Sequence, residues 1–325
     1  MGLSNLVLLS VLSQAVYQPD LQAVTERNGC SLLRAPPRGE RAFRSHYAIV
    51  RRGADLIVVF RGTNSIKDWV TNLYSGPVRV TDRLYAHRGY WEAVSWEMHP
   101  MLVSLSNALA GQTNPRIYLT GHSKGGGEAI LAYLWWTTNA HDVANNFPGL
   151  RGARVSVVTF GAPLVVMADE EGAASGMETA IVNYVTPLDI VPKCLARRTS
   201  WRIRGSYLES LDLIPTFLNA AWQAASTPFL GGKAAIEAFV HSTPSVREAI
   251  VYAVAFHLES LRCAKGPGFV PVGRFVELAQ DGPRDLKGEA MLAWASSPGR
   301  LSFEGLWEMI VAHYPARYVE GMGRA

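Results

Sequence analysis

The stretch RIYLTGHSKGGGEAILAYLWW, residues 116–136, joins a short apolar run to a longer one through a glycine-rich turn. The first run, Arg116–Thr120, predicts a buried strand, and the second, Glu128–Trp136, predicts a helix. Between them, residues 121–125 form the pattern Gly-x-Ser-x-Gly. A serine in a strand-to-helix turn takes strained backbone angles, and flanking glycines remove side chains that would clash. Ser123 is therefore predicted to project its hydroxyl over a sheet edge, beside the free N–H groups of a helix.

Segments on both sides of this stretch predict alternating strands and helices. Phe43–Val50 and Leu56–Phe60 are predicted to form a hairpin, and the second strand is apolar throughout, as in a strand buried on both faces. Val155–Phe160 and Ala180–Val185 predict further buried strands, and Tyr90–Ala110 has apolar residues at helical spacing. Such alternation predicts an α/β fold with a mostly parallel central sheet flanked by helices.

The composition indicates one globular domain over residues 1–325, with 48% hydrophobic and 18% charged residues. The net charge is +4, and no basic block is interleaved with aromatics, which argues against a nucleic-acid partner. Cys30, Cys194 and Cys263 lack metal-binding spacing and are odd in number, so neither a disulfide framework nor a zinc site is expected. Nothing in the sequence calls for a metal or an organic cofactor.

Residues 208–266 interrupt the α/β pattern. They lack strand alternation and are rich in Ala, Leu, Phe and Trp, which predicts a helical insertion acting as a lid or cap. Leu213–Gly232 contains no charged residue, but its two prolines argue against a membrane-spanning helix. The apolar residues of the insertion suggest either a lipid-contacting cover or an additional core. Strand character resumes at Phe269–Leu278, and Phe303–Ala312 predicts a final helix.

The N-terminal region bears on the location of the protein in or outside the cell. Its first 20 residues contain an apolar run, but no Lys or Arg precedes Arg27, so an amphipathic helix is expected rather than a secretory signal. The expected location is cytoplasmic, or outside the cell after export by a dedicated system. Six arginines between residues 34 and 52 predict a solvated hairpin edge, with transient contact to an anionic lipid surface as the alternative.

A serine nucleophile needs a histidine base, and the base needs an acid to orient it. Asp189 directly follows the strand Ala180–Val185, which places it on a loop at the sheet edge, whereas Asp142 and Asp169 are expected to be surface charges. His313 follows the last predicted strand and helix and is favoured as the base. The other histidines after Ser123 fit solvated, core or cap positions better: His141, His241 and His257.

Six motifs in order resemble the class 3 lipase family over most of the chain outside the insertion. They are 58–63 (VVFRGT) followed by Lys67-Asp68-Trp69, 87–90 (HRGY) with Ala93, the turn within Tyr118–Gly126, 159–163 (TFGAP), Asp189–Pro192, and His313 with Tyr314 and Tyr318. The resemblance implies an α/β-hydrolase fold and a cofactor-independent serine carboxylic-ester hydrolase acting on acylglycerol-type lipids. A phospholipase A-type hydrolase and a lipase-like non-catalytic scaffold are the alternatives.

Carried over by position, the resemblance implies Ser123 as the nucleophile, His313 as the base and Asp189 as the orienting acid. It also implies an oxyanion hole formed by the backbone N–H groups of Thr63 and Lys124. His87 and His122 are expected to hold loops rather than to take part in the chemistry.

The chain departs from the family at two points. Lys124 replaces the usual aliphatic residue, which suggests a bacterial branch and a cation that either favours anionic head groups or points to solvent. The separation of Asp189 and His313 is long, which we attribute to the insertion.

Overall fold

The computed structural model describes residues 3–37, 44–62, 77–168, 176–189, 191–192, 268–287, 290, 294 and 312–324. The insertion at 208–266 therefore lies outside the described residues, as do Thr63, Cys194 and Cys263. The predicted helix Phe303–Ala312 lies outside them too, except for its last residue. Within the described part, Cys30 is a buried free thiol.

The described elements alternate between strands and helices. The helices are α1 (Leu3–Ala15), α2 (Leu21–Arg27), α3 (Arg88–Ala108), α4 (Lys124–Thr138), α5 (Ala140–Asn146) and α6 (Pro315–Arg324). The strands are β1 (Ser31–Arg34), β2 (His46–Arg52), β3 (Asp55–Arg61), β4 (Pro77–Arg79), β5 (Leu84–His87), β6 (Arg116–His122), β7 (Arg154–Phe160), β8 (Val166–Ala168), β9 (Ile181–Val185), β10 (Gly268–Phe269), β11 (Arg274–Ala279) and β12 (Gly282–Leu286).

Eight strands form the main sheet, in the order β1-β2-β3-β6-β7-β9-β11-β12. The five central strands, β3 to β11 in that order, pair in parallel, and antiparallel strands complete both edges. The predicted hairpin is present as β2 and β3. A small antiparallel sheet, β10-β8-β5-β4, lies apart from the main one. The mostly parallel sheet flanked by helices is confirmed, and with it the α/β-hydrolase fold.

Alternate residues of the central strands face two separate apolar cores, because successive side chains of a strand point to opposite faces. Leu56, Val58 and Phe60 of β3 pack towards α3 and α4, whereas Ile57 and Val59 pack towards α1 and α6. We call these two sides the α3/α4 face and the α1/α6 face. All five of these apolar residues are buried, as the uninterrupted apolar run predicts.

The N-terminal segment forms the predicted helix, but the expected amphipathic character is wrong. None of the residues 5–15 is exposed, because α1 lies between the sheet and α6. Even its polar residues turn inward: the Ser13 hydroxyl lies 3.1 Å from the Thr120 hydroxyl of β6. Among the described residues, no helix combines the length and the apolar character needed to cross a membrane.

Two of the six arginines expected to form a solvated edge, Arg38 and Arg41, lie outside the described residues, and the other four have protein partners. Arg34 and Arg44 both pair with Glu97 of α3, at 3.9 and 3.3 Å. The guanidinium of Arg51 donates to the Ala108 carbonyl, and the guanidinium of Arg52 donates to the Asn5 side chain. These four cations have protein partners and fasten the hairpin to α1 and α3.

Towards its C-terminus, the chain differs from the prediction in two respects. The predicted strand Phe269–Leu278 is divided between β10 of the small sheet and β11 of the main sheet. Gly273 lies between them with φ +84°, and a side chain there would collide with Ile181. Helix α6, which follows His313, was not predicted from the sequence.

Candidate active site

Ser123 stands alone between the end of β6 at His122 and the start of α4 at Lys124. Its φ of 57° and ψ of −132° lie outside the regions that non-glycine residues ordinarily adopt, a strain that costs about 1–3 kcal/mol. The turn is held from both sides. The Ser123 N–H donates to the Phe160 carbonyl of β7 at 3.0 Å, and the Gly126 N–H donates to the Ser123 carbonyl at 2.9 Å. The neighbouring strand therefore supports the strained residue.

The glycines of the pattern are required by close backbone contacts. A Cβ on Gly121 would lie 2.4 Å from the Gly125 carbonyl carbon. A Cβ on Gly125 would lie 2.3 Å from the Phe60 carbonyl oxygen and 2.9 Å from the Gly62 nitrogen. The start of α4 is thus pressed against the end of β3, the strand that leads into Thr63.

Asp189 and His313 meet as a buried hydrogen-bonded pair. The His313 Nδ1 lies 2.8 Å from Asp189 Oδ2 and 3.0 Å from Oδ1. Asp189 Oδ1 also accepts a hydrogen bond from the Val191 N–H at 2.8 Å, and the Tyr318 hydroxyl donates to Oδ2. Because three groups converge on one carboxylate, its orientation towards the imidazole is fixed.

His122, the residue before Ser123, holds the loop that carries His313. Its Nε2 lies 2.6 Å from the His313 carbonyl oxygen, and the two rings are 4.6 Å apart. A carbonyl only accepts, so Nε2 carries the proton. Burial lowers the pKa of the His122 imidazole well below its usual value, which keeps the ring neutral. On the same loop, the Thr186 hydroxyl donates to the Ala312 carbonyl at 3.1 Å.

Gly161, at the end of β7, forms the floor beneath the acid–base pair. Its φ is +58°, and a Cβ there would lie 2.6 Å from Asp189 Oδ2, 2.7 Å from the Tyr318 hydroxyl and 3.1 Å from His313 Nδ1. The absence of a side chain is therefore what allows the three groups to converge.

Lys124 does not point to solvent. Its Nζ lies 3.1 Å from Glu128 Oε1, one helical turn along α4, and the side chains are 16% and 0% exposed. Burial raises the pKa of the Glu128 carboxyl, and the Lys124 ammonium and the Ser45 side chain oppose that shift. The cation beside the nucleophile is therefore paired within the protein, which also argues against its serving as a free site for anionic head groups.

The structure joins two of the predicted site residues directly, because Asp189 contacts His313. His313 also contacts His122, the residue next to Ser123. Thr63 lies outside the described residues, so the first oxyanion donor stays a prediction. His141 is exposed and bonds to Asn145, as expected of a solvated residue. The remaining histidine candidates, His241 and His257, also lie outside the described residues.

Three residues of the site were missed by reasoning from the sequence. Tyr318 was named only as part of a motif, and its bond to Asp189 spans 129 residues. Glu128 could have been found, because it lies at i+4 from Lys124, where opposite charges meet on a helix. Tyr17, which reaches the His122 carbonyl across 105 residues, carries no local signal. Within the described residues, no group of three or more His, Cys, Asp or Glu side chains is arranged to hold a metal ion.

Comparisons with known proteins also find similarity to lipases. The class 3 lipase family matches residues 57–199. A curated relative named Lipase, from Rhizomucor miehei, is 27% identical over 152 residues, which is 45% of this chain and 39% of the relative's own length. The chain thus spans about two fifths of that relative.

Solved structures of fungal lipases resemble the chain more distantly. The Rhizomucor miehei lipase propeptide complex is 19% identical with a TM-score of 0.45, covering 58% of this chain and 61% of that one. A lipase from Rhizopus microsporus var. chinensis is 18% identical with a TM-score of 0.46, covering 58% and 68%. These relatives are fungal, and the bacterial branch stays a prediction. The resemblance predicted from the motifs is confirmed, and residues 57–199 match the class 3 lipase family.

Proposed function

We propose that the protein is a serine carboxylic-ester hydrolase in which Ser123 is the nucleophile, His313 the base and Asp189 the orienting acid. One observation carries the proposal. A buried Asp189–His313 hydrogen bond of 2.8 Å is connected, through the contact of His313 with His122, to a serine held at φ 57° between a strand and a helix. The two features are independent, and a serine hydrolase needs both.

The reaction proceeds by two acyl transfers. Asp189 accepts from Nδ1 of His313, so Nε2 is the ring nitrogen that takes the Ser123 proton as Oγ attacks the ester carbonyl. His313 then returns this proton to the leaving alcohol, and the acyl group stays on Oγ. Water, deprotonated by the same Nε2, attacks the acyl-enzyme. His313 then returns that proton to Ser123 Oγ as the bond to the acyl carbon breaks, and the carboxylic acid is released.

Negative charge on the tetrahedral carbonyl oxygen is held by backbone N–H groups. Lys124 is the first residue of α4, and the first N–H groups of a helix lack partners within it. The Lys124 N–H is one proposed donor, and the Thr63 N–H is the other. Removal of one such donor typically costs about 3 kcal/mol of transition-state stabilisation.

Acylglycerol-type esters are the proposed substrates. The matched relative is named Lipase, and Lys124, the cation next to Ser123, is paired with Glu128 and so is not free for a phosphate-bearing head group. We keep residues 208–266 as the proposed cap of a single domain, on the basis of their composition, and transient contact with a lipid interface as its proposed consequence.

The test is hydrolysis of p-nitrophenyl esters of increasing acyl length, with Ser123→Ala beside the wild type. We expect wild-type turnover to rise with chain length or at a lipid interface, and Ser123→Ala to be inactive while folded. Folded wild-type protein that hydrolyses no ester and does not react with a fluorophosphonate would instead favour the scaffold alternative. Faster release of fatty acid from phosphatidylcholine than from triacylglycerol would favour the phospholipase alternative.

A further inference from the structure

The two proposed oxyanion donors follow the ends of β3 and β6, which pair in parallel and stay in contact beyond the paired residues. Gly62 ends the described part of the β3 segment and directly precedes Thr63. His122 ends β6, two residues before Lys124. A Cβ on Gly62 would lie 2.9 Å from the His122 carbonyl oxygen, so the two backbones are in close contact there. We expect the separation of these two backbones to set the distance between the two proposed donors.

The Tyr17 hydroxyl occupies this point of contact. It donates to the His122 carbonyl at 3.3 Å, and a Cβ on Gly62 would lie 2.1 Å from it. Burial raises the pKa of the Tyr17 phenol, and a hydrogen bond from the Gly62 N–H opposes that rise. One oxygen thus accepts from the first segment and donates to the second.

The surroundings keep the phenol in place. Its ring meets the His122 ring edge-on, with 6.3 Å between centroids. Tyr17 directly follows the last turn of α1, where Val16 is buried and its N–H bonds to the Leu12 carbonyl. Because α1 is enclosed between the sheet and α6, the hydroxyl has a fixed anchor.

We propose that Tyr17 is a positioning residue that sets the spacing of the two arms of the oxyanion hole. This inference rests on the proposed function. Preorganised donors stabilise charge that develops in the transition state more than they stabilise the bound ester. Loss of the hydroxyl is therefore expected to lower kcat and to leave KM nearly unchanged, a split that a purely structural role would not produce.

Tyr17→Phe is the direct test, with Tyr47→Phe as the matched control. Tyr47 is a buried tyrosine, and it lies on the α3/α4 face. We expect Tyr17→Phe to lower kcat for p-nitrophenyl butyrate by roughly tenfold and to change KM by less than about twofold. Tyr47→Phe should retain the wild-type kcat at a temperature where circular dichroism shows both variants to be folded.

Gly62→Ala tests the same contact from the other side and serves if Tyr17→Phe does not fold. The added methyl group takes the place of the Tyr17 hydroxyl, so kcat should again fall with little change in KM. Gly323→Ala is its control, because a Cβ there meets nothing within 4 Å.

The outcomes separate this inference from the function beneath it. Wild-type turnover with an unchanged kcat in folded Tyr17→Phe overturns the role of Tyr17 alone. An equal loss of kcat in Tyr47→Phe assigns the effect to packing and overturns it too. A folded wild type without any esterase turnover overturns the proposed function, and the role of Tyr17 with it.

Discussion

The two faces of the central sheet are built differently. The α3/α4 face packs mainly through aliphatic side chains such as Leu102, Leu105 and Leu131, all fully buried. The α1/α6 face mixes apolar contacts with directed polar ones, among them Ser13 to Thr120 and Tyr318 to Asp189. Apolar packing is non-directional, whereas hydrogen bonds fix angles. The first face therefore supplies mainly cohesion, and the second also supplies orientation.

The difference between the two faces coincides with the limits of the family match, because α3 and α4 lie within residues 57–199 and α1 and α6 lie outside them. Residues 57–199 include Ser123 and Asp189. Three residues that contact Asp189 or His122 belong to segments before and after that range: Tyr17, His313 and Tyr318. On this evidence, a chain can carry the recognisable nucleophile motif and still depend on unmatched segments for a working site.

The strongest test of the orienting face removes the charge of its acid. Asp189→Asn keeps the shape but presents an amide to His313 Nδ1, which favours the wrong tautomer. We expect kcat to fall by a factor on the order of 10⁴, measured with p-nitrophenyl butyrate. Asp82→Asn, at a side chain that is 98% exposed, is the control and should leave kcat unchanged. An active Asp189→Asn enzyme would remove His313 from the proposed mechanism.

A matched pair of leucines compares the two faces directly. Leu12 of α1 and Leu102 of α3 are both 0% exposed. Each Leu→Ala change should lower the free energy of unfolding by about 2–5 kcal/mol, measured in urea. Only Leu12→Ala should also lower kcat severalfold, because Tyr17 closely follows α1. Equal kcat values in the two folded variants would contradict the division of roles.

Tyr318→Phe removes one hydroxyl from the orienting face. Asp189 Oδ2 then loses a buried donor, which should cost about 1–2 kcal/mol of stability. The carboxylate gains freedom to turn, so kcat should fall severalfold as well. Tyr47→Phe on the other face should not affect kcat. The comparison needs denaturation curves and kcat for both variants, and a Tyr318→Phe enzyme with full activity would limit Tyr318 to a structural role.

The smallest expected effect is on the pH dependence of the free energy of unfolding. Burial lowers the pKa of His122, so below the unfolded value near 6.5 the unfolded chain takes up a proton that the folded protein does not. The stability contributed by neutral, buried His122 is therefore present above that pH. As the pH falls below it, the free energy of unfolding decreases by up to about 1.4 kcal/mol per pH unit. Urea denaturation from roughly pH 7.5 to 5.5 should show a shallower slope in His122→Gln. Exposed His141→Gln should keep the wild-type slope.

The parts of the molecule predicted from the sequence are those with local signals. The Ser123 turn is marked by glycines on both sides and by a change of apolar period, and Asp189 by its place after a strand. The Asp189–His313 pair spans 124 residues, and the histidine was selected mainly through the family motifs. The exposed side expected for α1 is covered by α6, from the far end of the chain, which no local pattern encodes.

The contact between Asp189 and His313 also has a consequence for the order of events during translation. Ribosomes make a chain from its N-terminus at about 5–20 residues per second, so the 124 residues between the acid and the base take roughly 6–25 s. Under the proposed mechanism, the nascent chain holds its nucleophile and acid but no base during that interval. We expect ester hydrolysis to start only after the segment with His313 and Tyr318 has been translated and Tyr318 has met Asp189.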